Sequence, residues 1–312
     1  MRLKPWIWPV IFLALLCVPL LSPEGYYYRT LCMIFLWIGL ASAWNLTSGF
    51  TGYIDFGAVG YFGIGNYATA LLMTRGGIPF FVSILTSGIL SALIALFIGR
   101  YTMKLRGAYF GIATLAFAEA AKQIVLEFDR TFKVRFFEGS HGITLPIAHD
   151  EVFFYYTFLI IVGLIVFLIF KVNRSKFGYA LKAIKEAEDS AELAGINTRR
   201  YKVSVYSLTA LLIGILGGIN AYWLTYISPL DVFSVLHTIN MIIMALFGGT
   251  GTVFGPVVGA IVLSIANEVI GSRLLYTWLL MLGVILLVVV VFLPRGILGS
   301  ISRPSLLKRF KR

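Results

Sequence analysis

The sequence of 312 residues contains few charged side chains, and acidic ones are the scarcest. Only 13% of its residues are charged, against roughly 25% in a soluble domain, and 59% are hydrophobic. So little charge excludes a soluble domain of ordinary composition. We therefore expect an integral membrane protein, with the lipid bilayer as its surroundings.

Cysteine, which forms disulfides and binds metals, is also scarce, and so is histidine, another common metal ligand. Cys17 and Cys32 lie in separate apolar runs, and the three histidines show no metal-ligand spacing. We therefore expect neither a disulfide nor a bound metal. No lysine follows a glycine, so the sequence lacks the Gly-Lys-Ser/Thr step of a P-loop. The chain is not expected to be an enzyme that hydrolyses a nucleotide through that motif.

Basic residues outnumber acidic ones by 26 to 14, which gives a net charge of +12. In a soluble protein such an excess would suggest a nucleic acid partner. Here the basic residues lie in loops beside long apolar runs, as the positive-inside rule describes. We therefore expect no nucleic acid partner, and we use the basic residues to orient the chain in the membrane.

Ten apolar runs predict membrane spans, one of them short. They are residues 5–21, 30–48, 54–73, 79–99, 107–127, 153–170, 203–226, 236–248, 253–270 and 276–293. The first is interpreted as a retained span, because no signal-peptidase site follows it. With ten spans, the basic segments 100–106, 171–202 and 295–312 all lie on the inner side. The whole chain, 1–312, is thus expected to be one multi-pass domain of the inner, cytoplasmic membrane with both termini and the tail 295–312 in the cytoplasm.

The most charged segment is 171–202, KVNRSKFGYALKAIKEAEDSAELAGINTRRYK. Because no apolar run of spanning length interrupts it, it must lie in water. Spacings of four and three residues predict an amphipathic helix within 178–195, and Gly195 followed by Ile196 is typical of its end. Its apolar face consists of Ala180, Ile184, Ala187, Ala191 and Ala194. Such a shallow face suits docking into a groove of another protein, but a solvated linker would fit as well.

Two glycine-rich stretches, 48–66 and 247–259, are the candidate translocation path. Their candidate residues are Gly52, Asp55, Gly57, Gly60, Gly63, Gly249, Gly251 and Gly255. Glycines at membrane depth permit either close helix packing or a broken segment that lines a path. Asp55 is either a functional group of that path or a helix cap at the water boundary.

Two further features have a functional and a plain interpretation. The outer loop, 128–152, has mixed charge and either meets a soluble partner or only connects two spans. Glu119 and Lys122 stand three residues apart on one helix face, where they form either a relay or a pair that neutralises itself.

Several short motifs occur in an order that resembles the LivM-type permease subunits of branched-chain amino acid ATP-binding cassette importers. They are residues 51–57, 62–65, 105–110, 140–143, 175–178, 194–197, 248–256 and 292–299. The resemblance extends over about residues 45–299. Tyr53 and Asp55 depart from the pattern, since many relatives have small or neutral residues there.

The resemblance implies an all-α polytopic permease with about ten transmembrane helices, some short or broken, that imports leucine, isoleucine or valine. It implies a second, LivH-like permease subunit, two ATPase subunits that use ATP and Mg, and an extracytoplasmic solute-binding protein. It also implies that 171–202 is a coupling loop, with Gly178, the alanine face, Gly195 and Ile196 against the ATPase. The alternatives are an importer of urea or short amides and, in a different class, an ion-coupled secondary transporter.

Overall fold

The computed structural model describes residues 25–134, 136–146 and 149–271, together with residues 16, 19, 283, 296 and 297. The predicted spans 5–21 and 276–293 and the basic tail 295–312 therefore lie almost wholly outside the described residues. The chain divides into two compact units. One comprises residues 1–42, 149–168 and 243–312, and the other comprises residues 43–148 and 169–242.

The described residues are mostly helical. The helices are α1 (Gly25–Thr51), α2 (Ala58–Thr74), α3 (Phe80–Thr102), α4 (Ala108–Phe132), α5 (Glu151–Asn173), α6 (Lys176–Glu186), α7 (Glu188–Leu193), α8 (Thr198–Leu224), α9 (Pro229–Val232), α10 (Val235–Gly248) and α11 (Gly255–Gly271). A 3₁₀ turn covers Gly139–His141. The short strands β1 (Ile143–Thr144) and β2 (Tyr226–Ile227) pair in antiparallel orientation.

Within the described residues, six helical segments are long and apolar enough to cross a membrane. They are α1, α3, α4, α5, α8 and the stretch Pro229–Gly248, which contains α9 and α10. Helices α2 and α11 have 17 residues each and are shorter. The all-α, polytopic prediction is thus confirmed. Each predicted span between residues 30 and 270 corresponds to a helix whose bounds differ by a few residues, and the count of ten stays a prediction.

Helices α2, α3 and α8 form the centre of the larger unit, and small residues set their spacing. A Cβ atom added to Gly65 of α2 would lie 2.2 Å from the carbonyl oxygen of Gly214 in α8. A hydrogen bond of 2.9 Å from Asn220 Nδ2 to Asn66 Oδ1 also joins these two helices. Because hydrocarbon offers no competing water, close backbone approach and hydrogen bonds between helices carry this packing.

Polar contacts fasten the end of the larger unit at which α8 finishes. β1 pairs with β2 there, and the Tyr226 hydroxyl donates to the carbonyl of His141 at 3.0 Å. The Asp129 carboxylate accepts from the backbone N–H groups of Phe136 and Phe137. Helix α4 continues to Phe132, so the predicted loop 128–152 begins with helix, and its described remainder is tied down rather than loose.

Glycines also set the packing in the smaller unit. A Cβ atom on Gly259 of α11 would lie 1.9 Å from the carbonyl oxygen of Met244 in α10. The ring of Tyr155 in α5 contacts Tyr28 and Phe35 of α1, with centroids 5.8 and 5.5 Å apart. The smaller unit thus combines one backbone-close helix pair with an aromatic contact between two longer helices.

We expect Gly65→Ala to destabilise the protein by about 1–3 kcal/mol, because the new methyl group would overlap backbone that cannot move aside. Gly25→Ala is the matched control. A Cβ there meets only the end of the Glu151 side chain, at 3.2 Å, so we expect a change within about 0.5 kcal/mol. Thermal unfolding in detergent measures both. Equal midpoints for the two variants would contradict the close contact.

Candidate functional site

The charged segment between α5 and α8, residues 175–197, is the candidate site and is named the coupling segment below. Ser175 precedes α6 as its N-cap, and its Oγ accepts from the N–H of Gly178 at 3.2 Å. Asn197 precedes α8 in the same way, and its side chain accepts from the N–H of Arg200. Both ends of the segment therefore carry the capping residues that helix starts prefer.

The predicted single helix over 178–195 is wrong, because the segment contains two helices. Ala187 has extended backbone angles, φ −160° and ψ 100°, and separates α6 from α7. Glu188 and Asp189 follow at the start of α7, where acidic side chains favour a helix N-terminus. Glu188 thus begins α7, where its side chain contacts Lys202 of α8 and Tyr53 of the linker between α1 and α2. Helical periodicity does not reveal these contacts.

Glycine is required at both predicted positions, for different reasons. Gly195 has φ +86°, and the N–H of Ile196 donates to the carbonyl of Ala191 at 3.0 Å, which confirms the predicted cap. A Cβ on Gly195 would meet nothing within 4 Å, so only its backbone conformation excludes other residues. Gly178 needs space instead, since a Cβ there would lie 2.1 Å from the carbonyl oxygen of Val172.

The predicted docking face is largely covered by the protein itself. Ala180, Ile184 and Ala191 are buried within the chain, whereas Ala187 and Ala194 are exposed. Apolar periodicity indicates which face is buried but not against which surface. The three buried residues therefore anchor the segment to its own protein, which corrects the expectation that this face is open to a partner. A role for Ala187, Ala194, Gly195 and Ile196 in docking stays a prediction.

The residues that the segment does present include two large apolar side chains. Leu193, at the end of α7, is 91% exposed, and Tyr179 of α6 is 65% exposed. The amphipathic pattern did not single out either residue. A signal was available for Leu193, because it is apolar but falls off the helical face predicted for 178–195.

Glu188, Lys202 and Tyr53 form a nearly buried polar cluster, here named the triad. Lys202 Nζ lies 2.5 Å from Glu188 Oε1 and donates to the Tyr53 hydroxyl at 3.0 Å. The Tyr53 hydroxyl in turn donates to Glu188 Oε2. The Lys202 and Glu188 side chains are only 5% and 13% exposed, so water screens their attraction little.

The surroundings of the triad favour the charged form of the Glu188 carboxyl. Burial by itself raises the pKa of Glu188, but the hydrogen bonds from Lys202 and Tyr53 outweigh it, so the pKa falls below its ordinary value of 4.5. A lowered carboxyl pKa stabilises the folded protein above the unfolded pKa, and this contribution is lost only as pH falls through the folded pKa. Removing one member of such a pair costs about 3–5 kcal/mol, because the other charge is left buried.

Further contacts hold the coupling segment to other parts of the larger unit. Lys185 Nζ donates to the carbonyl of Gly49, near the end of α1, at 2.7 Å. Asp189 pairs with Arg106 of the loop between α3 and α4 at 2.8 Å, but both side chains are mostly exposed. Exposed pairs contribute little. The segment is therefore held mainly by its buried apolar face, Lys185 and the triad.

Sequence reasoning did not assign any member of the triad to a site. Tyr53 was noticeable, because it departs from the family pattern at that position. Lys202 gave a weaker signal, since it is a charged residue directly before the apolar residues of α8. The pairing itself could not be predicted, because Tyr53 lies 135 residues before Glu188, and Glu188 and Lys202 lie on different helices.

Asp55 lies in the linker between α1 and α2 and is fully buried. Its Oδ1 accepts from the N–H of Gly57 at 2.8 Å, and its own N–H donates to Ser48 Oγ at 3.0 Å. Its carbonyl accepts from Trp44 Nε1 at 2.7 Å. The predicted helix cap is therefore not formed, because the N-cap of α2 is Gly57 without a side-chain cap, and Asp55 Oδ1 instead closes a turn ahead of that helix. Asp55 is also enclosed in the protein rather than at a water boundary.

The candidate glycines of the first stretch lie at close contacts. Cβ atoms on Gly57, Gly60 and Gly63 would meet Thr114, Phe117 and Phe233 at 2.1, 3.0 and 2.3 Å respectively. This favours the packing interpretation for these three glycines. Gly52 has φ +81°, and so serves a turn.

In the second stretch, Gly249 and Gly251 have φ +121° and +77°. A Cβ on Gly255 would lie 2.2 Å from the Gly249 carbonyl oxygen. A translocation role for both glycine stretches and Asp55 stays a prediction. Glu119 and Lys122 of α4 do pair, at 2.6 Å, as the self-neutralising interpretation requires.

Comparison with known proteins places these features in context. Residues 26–290 match the family model described as "Branched-chain amino acid transport system / permease component". The chain is 27% identical to the high-affinity branched-chain amino acid transport system permease protein LivM of Escherichia coli K12, over 89% of this chain and 70% of that protein. No solved structure matches the chain.

Two other relatives extend the comparison. The probable branched-chain amino acid transport permease protein LivM of Methanocaldococcus jannaschii is 22% identical over 85% of this chain and 92% of its own length. The permease protein LivH of Escherichia coli K12 is 26% identical over 52% of this chain and 57% of its own length. The similarity to LivM thus extends over more of the chain than the similarity to LivH.

We expect Gly195→Val to loosen the end of α7, because a β-branched residue resists the left-handed conformation. Gly195→Asn is the matched control, since asparagine tolerates positive φ and the surrounding space is open. Amide hydrogen exchange over residues 187–197 should accelerate by about tenfold in Gly195→Val and much less in Gly195→Asn. Identical exchange in the two variants would contradict a conformational role for Gly195.

Proposed function

The chain belongs to the family of branched-chain amino acid transport permease components, and on that premise we propose that it is the permease subunit of an ATP-driven importer for leucine, isoleucine and valine. The observation that carries the proposal is the family match over residues 26–290, in a chain with six described segments able to span a membrane. The names of the LivM relatives support the class of solute.

We infer three kinds of partner. A second, LivH-like permease subunit is supported by similarity to LivH as well as LivM, since the two are related proteins of one transport system. This chain has no P-loop, so two separate ATPase subunits would supply the energy by hydrolysing ATP with Mg as the metal ion. A solute-binding protein outside the membrane would deliver the amino acid, and it would hold most of the selectivity.

The distribution of basic residues supports an orientation in the inner membrane. The coupling segment, with its eight flanking and internal basic residues between Lys171 and Lys202, would face the cytoplasm. Both termini and the tail 295–312 would lie on the same side. The loop 128–152, at the opposite end of the larger unit, would face the solute-binding protein.

We propose that the ATPase contacts the exposed side of the coupling segment and not its buried alanine face. A single exposed leucine is ordinary on a protein surface. Leu193, however, stands beside Ala194 and Gly195, which are also exposed, at the end of a firmly anchored helix. Small neighbours would let a partner approach closely, and Leu193 would provide the apolar contact.

Uptake into proteoliposomes that contain the chain and its partner subunits tests the function. We expect leucine to accumulate only with ATP at the ATPase side, and a proton ionophore to have no effect. Accumulation without ATP that collapses with the ionophore would instead identify an ion-coupled transporter. Uptake of urea or an amide, with no uptake of leucine, would support an importer but contradict a branched-chain amino acid as its solute.

Replacing Leu193 tests the docking surface separately. We expect Leu193→Asp to insert normally but to reduce the ATPase that co-purifies with it by at least about tenfold, because the contact would place a charge against an apolar surface. The matched control is Val134→Asp, since Val134 is 46% exposed but lies in the loop after α4, outside the spans and at the opposite end of the larger unit. Equal amounts of co-purified ATPase for the two variants would contradict this docking site.

A further inference from the structure

We propose that the Glu188–Lys202–Tyr53 triad is the joint through which movement of the coupling segment reaches the membrane helices. The inference rests on the proposed function, in which ATPase subunits displace that segment. It assigns these three side chains a positioning role. They would set where α8 and the start of α2 lie for each position of α7, without contacting the ATPase or the solute.

The triad joins three separate parts of the larger unit. Glu188 begins α7, Lys202 lies in the second turn of α8, and Tyr53 belongs to the linker 52–57 that leads into α2. The two carboxylate oxygens of Glu188 accept from different partners. Oε1 accepts from Lys202, and Oε2 accepts from Tyr53. A displacement of Glu188 would therefore act on α8 and on the linker at once.

The position of helix α7 depends on its contacts with neighbouring elements. It has only six residues, too few to be stable as an isolated helix, so packing and the triad determine its position. The triad is also the least exposed ion pair of the coupling segment. The Arg106–Asp189 pair joins the same helix to the loop after α3, but its side chains are 60% and 77% exposed and can separate into water.

From the triad, packed rings continue toward α2 and α8. The Tyr53 ring contacts Phe110 of α4 at 5.5 Å between centroids, and Phe110 contacts Tyr206 of α8 at 5.9 Å. Tyr206 contacts Tyr61 of α2 at 5.5 Å. Tyr61 and Tyr206 are fully buried. Close-packed rings cannot move independently, so a shift of Tyr53 would displace side chains of both α2 and α8.

A contiguous series of contacts does not by itself demonstrate coupling, so the test measures it. The full transporter, purified with its partner subunits, is reconstituted with Glu188→Gln, Lys202→Met and the double variant. Three quantities are measured for each: ATPase co-purification, ATP hydrolysis and leucine taken up per ATP hydrolysed. Arg106→Gln with Asp189→Asn serves as the matched control, because it removes an ion pair from the same helix.

We expect each single variant to retain its ATPase subunits and to lower uptake per ATP by about tenfold. The double variant should be no worse than the poorer single one, because both changes break one interaction. The control pair should stay within about twofold. Tyr53→Phe, which removes only a hydroxyl group, gives a milder variant that keeps the test valid if the charge variants fail to fold.

Three results would overturn the inference: normal uptake per ATP in a folded single variant or in Tyr53→Phe, an equal loss in the control pair, or additive losses in the double variant. Loss of ATPase co-purification in the triad variants alone would also overturn it, by assigning the triad to docking. Failure of the unsubstituted chain to recruit ATPase subunits is a different result, and it would refute the proposed function itself.

Discussion

The structure depends on one constraint, which is that hydrocarbon supplies no hydrogen bonds to the backbone. Helices satisfy their own N–H and C=O groups, and this accounts for the mostly helical structure of the described residues. Helices in such surroundings gain no hydrophobic attraction for one another beyond what lipid offers, so they must approach closely to associate. The contacts of Gly65 with Gly214 and of Gly259 with Met244 are the outcome, and they explain why glycine is frequent in a chain that is mostly helical.

The same constraint governs the places where the chain leaves a helix. Between α1 and α2, the backbone groups of Asp55 and Gly57 are satisfied by Trp44, Ser48 and the Asp55 carboxylate. Of the buried Asp55 carboxylate, Oδ1 has this structural role, whereas Oδ2 has no hydrogen-bond partner among the described residues. A translocation role for Asp55 would require these bonds to rearrange, whereas a fixed turn would not. The two interpretations therefore differ in whether the linker changes conformation.

Local features of this fold could be predicted from sequence, and contacts between distant residues could not. Apolar runs located the helices, and Gly195 located the end of α7, because both signals are contained in a few neighbouring residues. The break at Ala187 and the burial of Ala180, Ile184 and Ala191 escaped prediction. Helical periodicity identifies an apolar face, but the same face would serve either a partner or the protein's own α8. Tyr53 lies 135 residues before Glu188 in sequence, and in a charged segment Lys202 resembles an ordinary solvated lysine.

The triad raises the question of why a charged pair is buried where an apolar contact would serve stability as well or better. Removing two charges from water is costly, and apolar replacements of buried ion pairs are often neutral or stabilising. An apolar contact, however, has no direction and allows one surface to slide over another. Glu188 binds Lys202 through one oxygen and Tyr53 through the other, which fixes both the distance and the rotation of α7 relative to α8 and the linker. In a segment that moves as we propose, this geometric definition matters more than the net free energy of the contact.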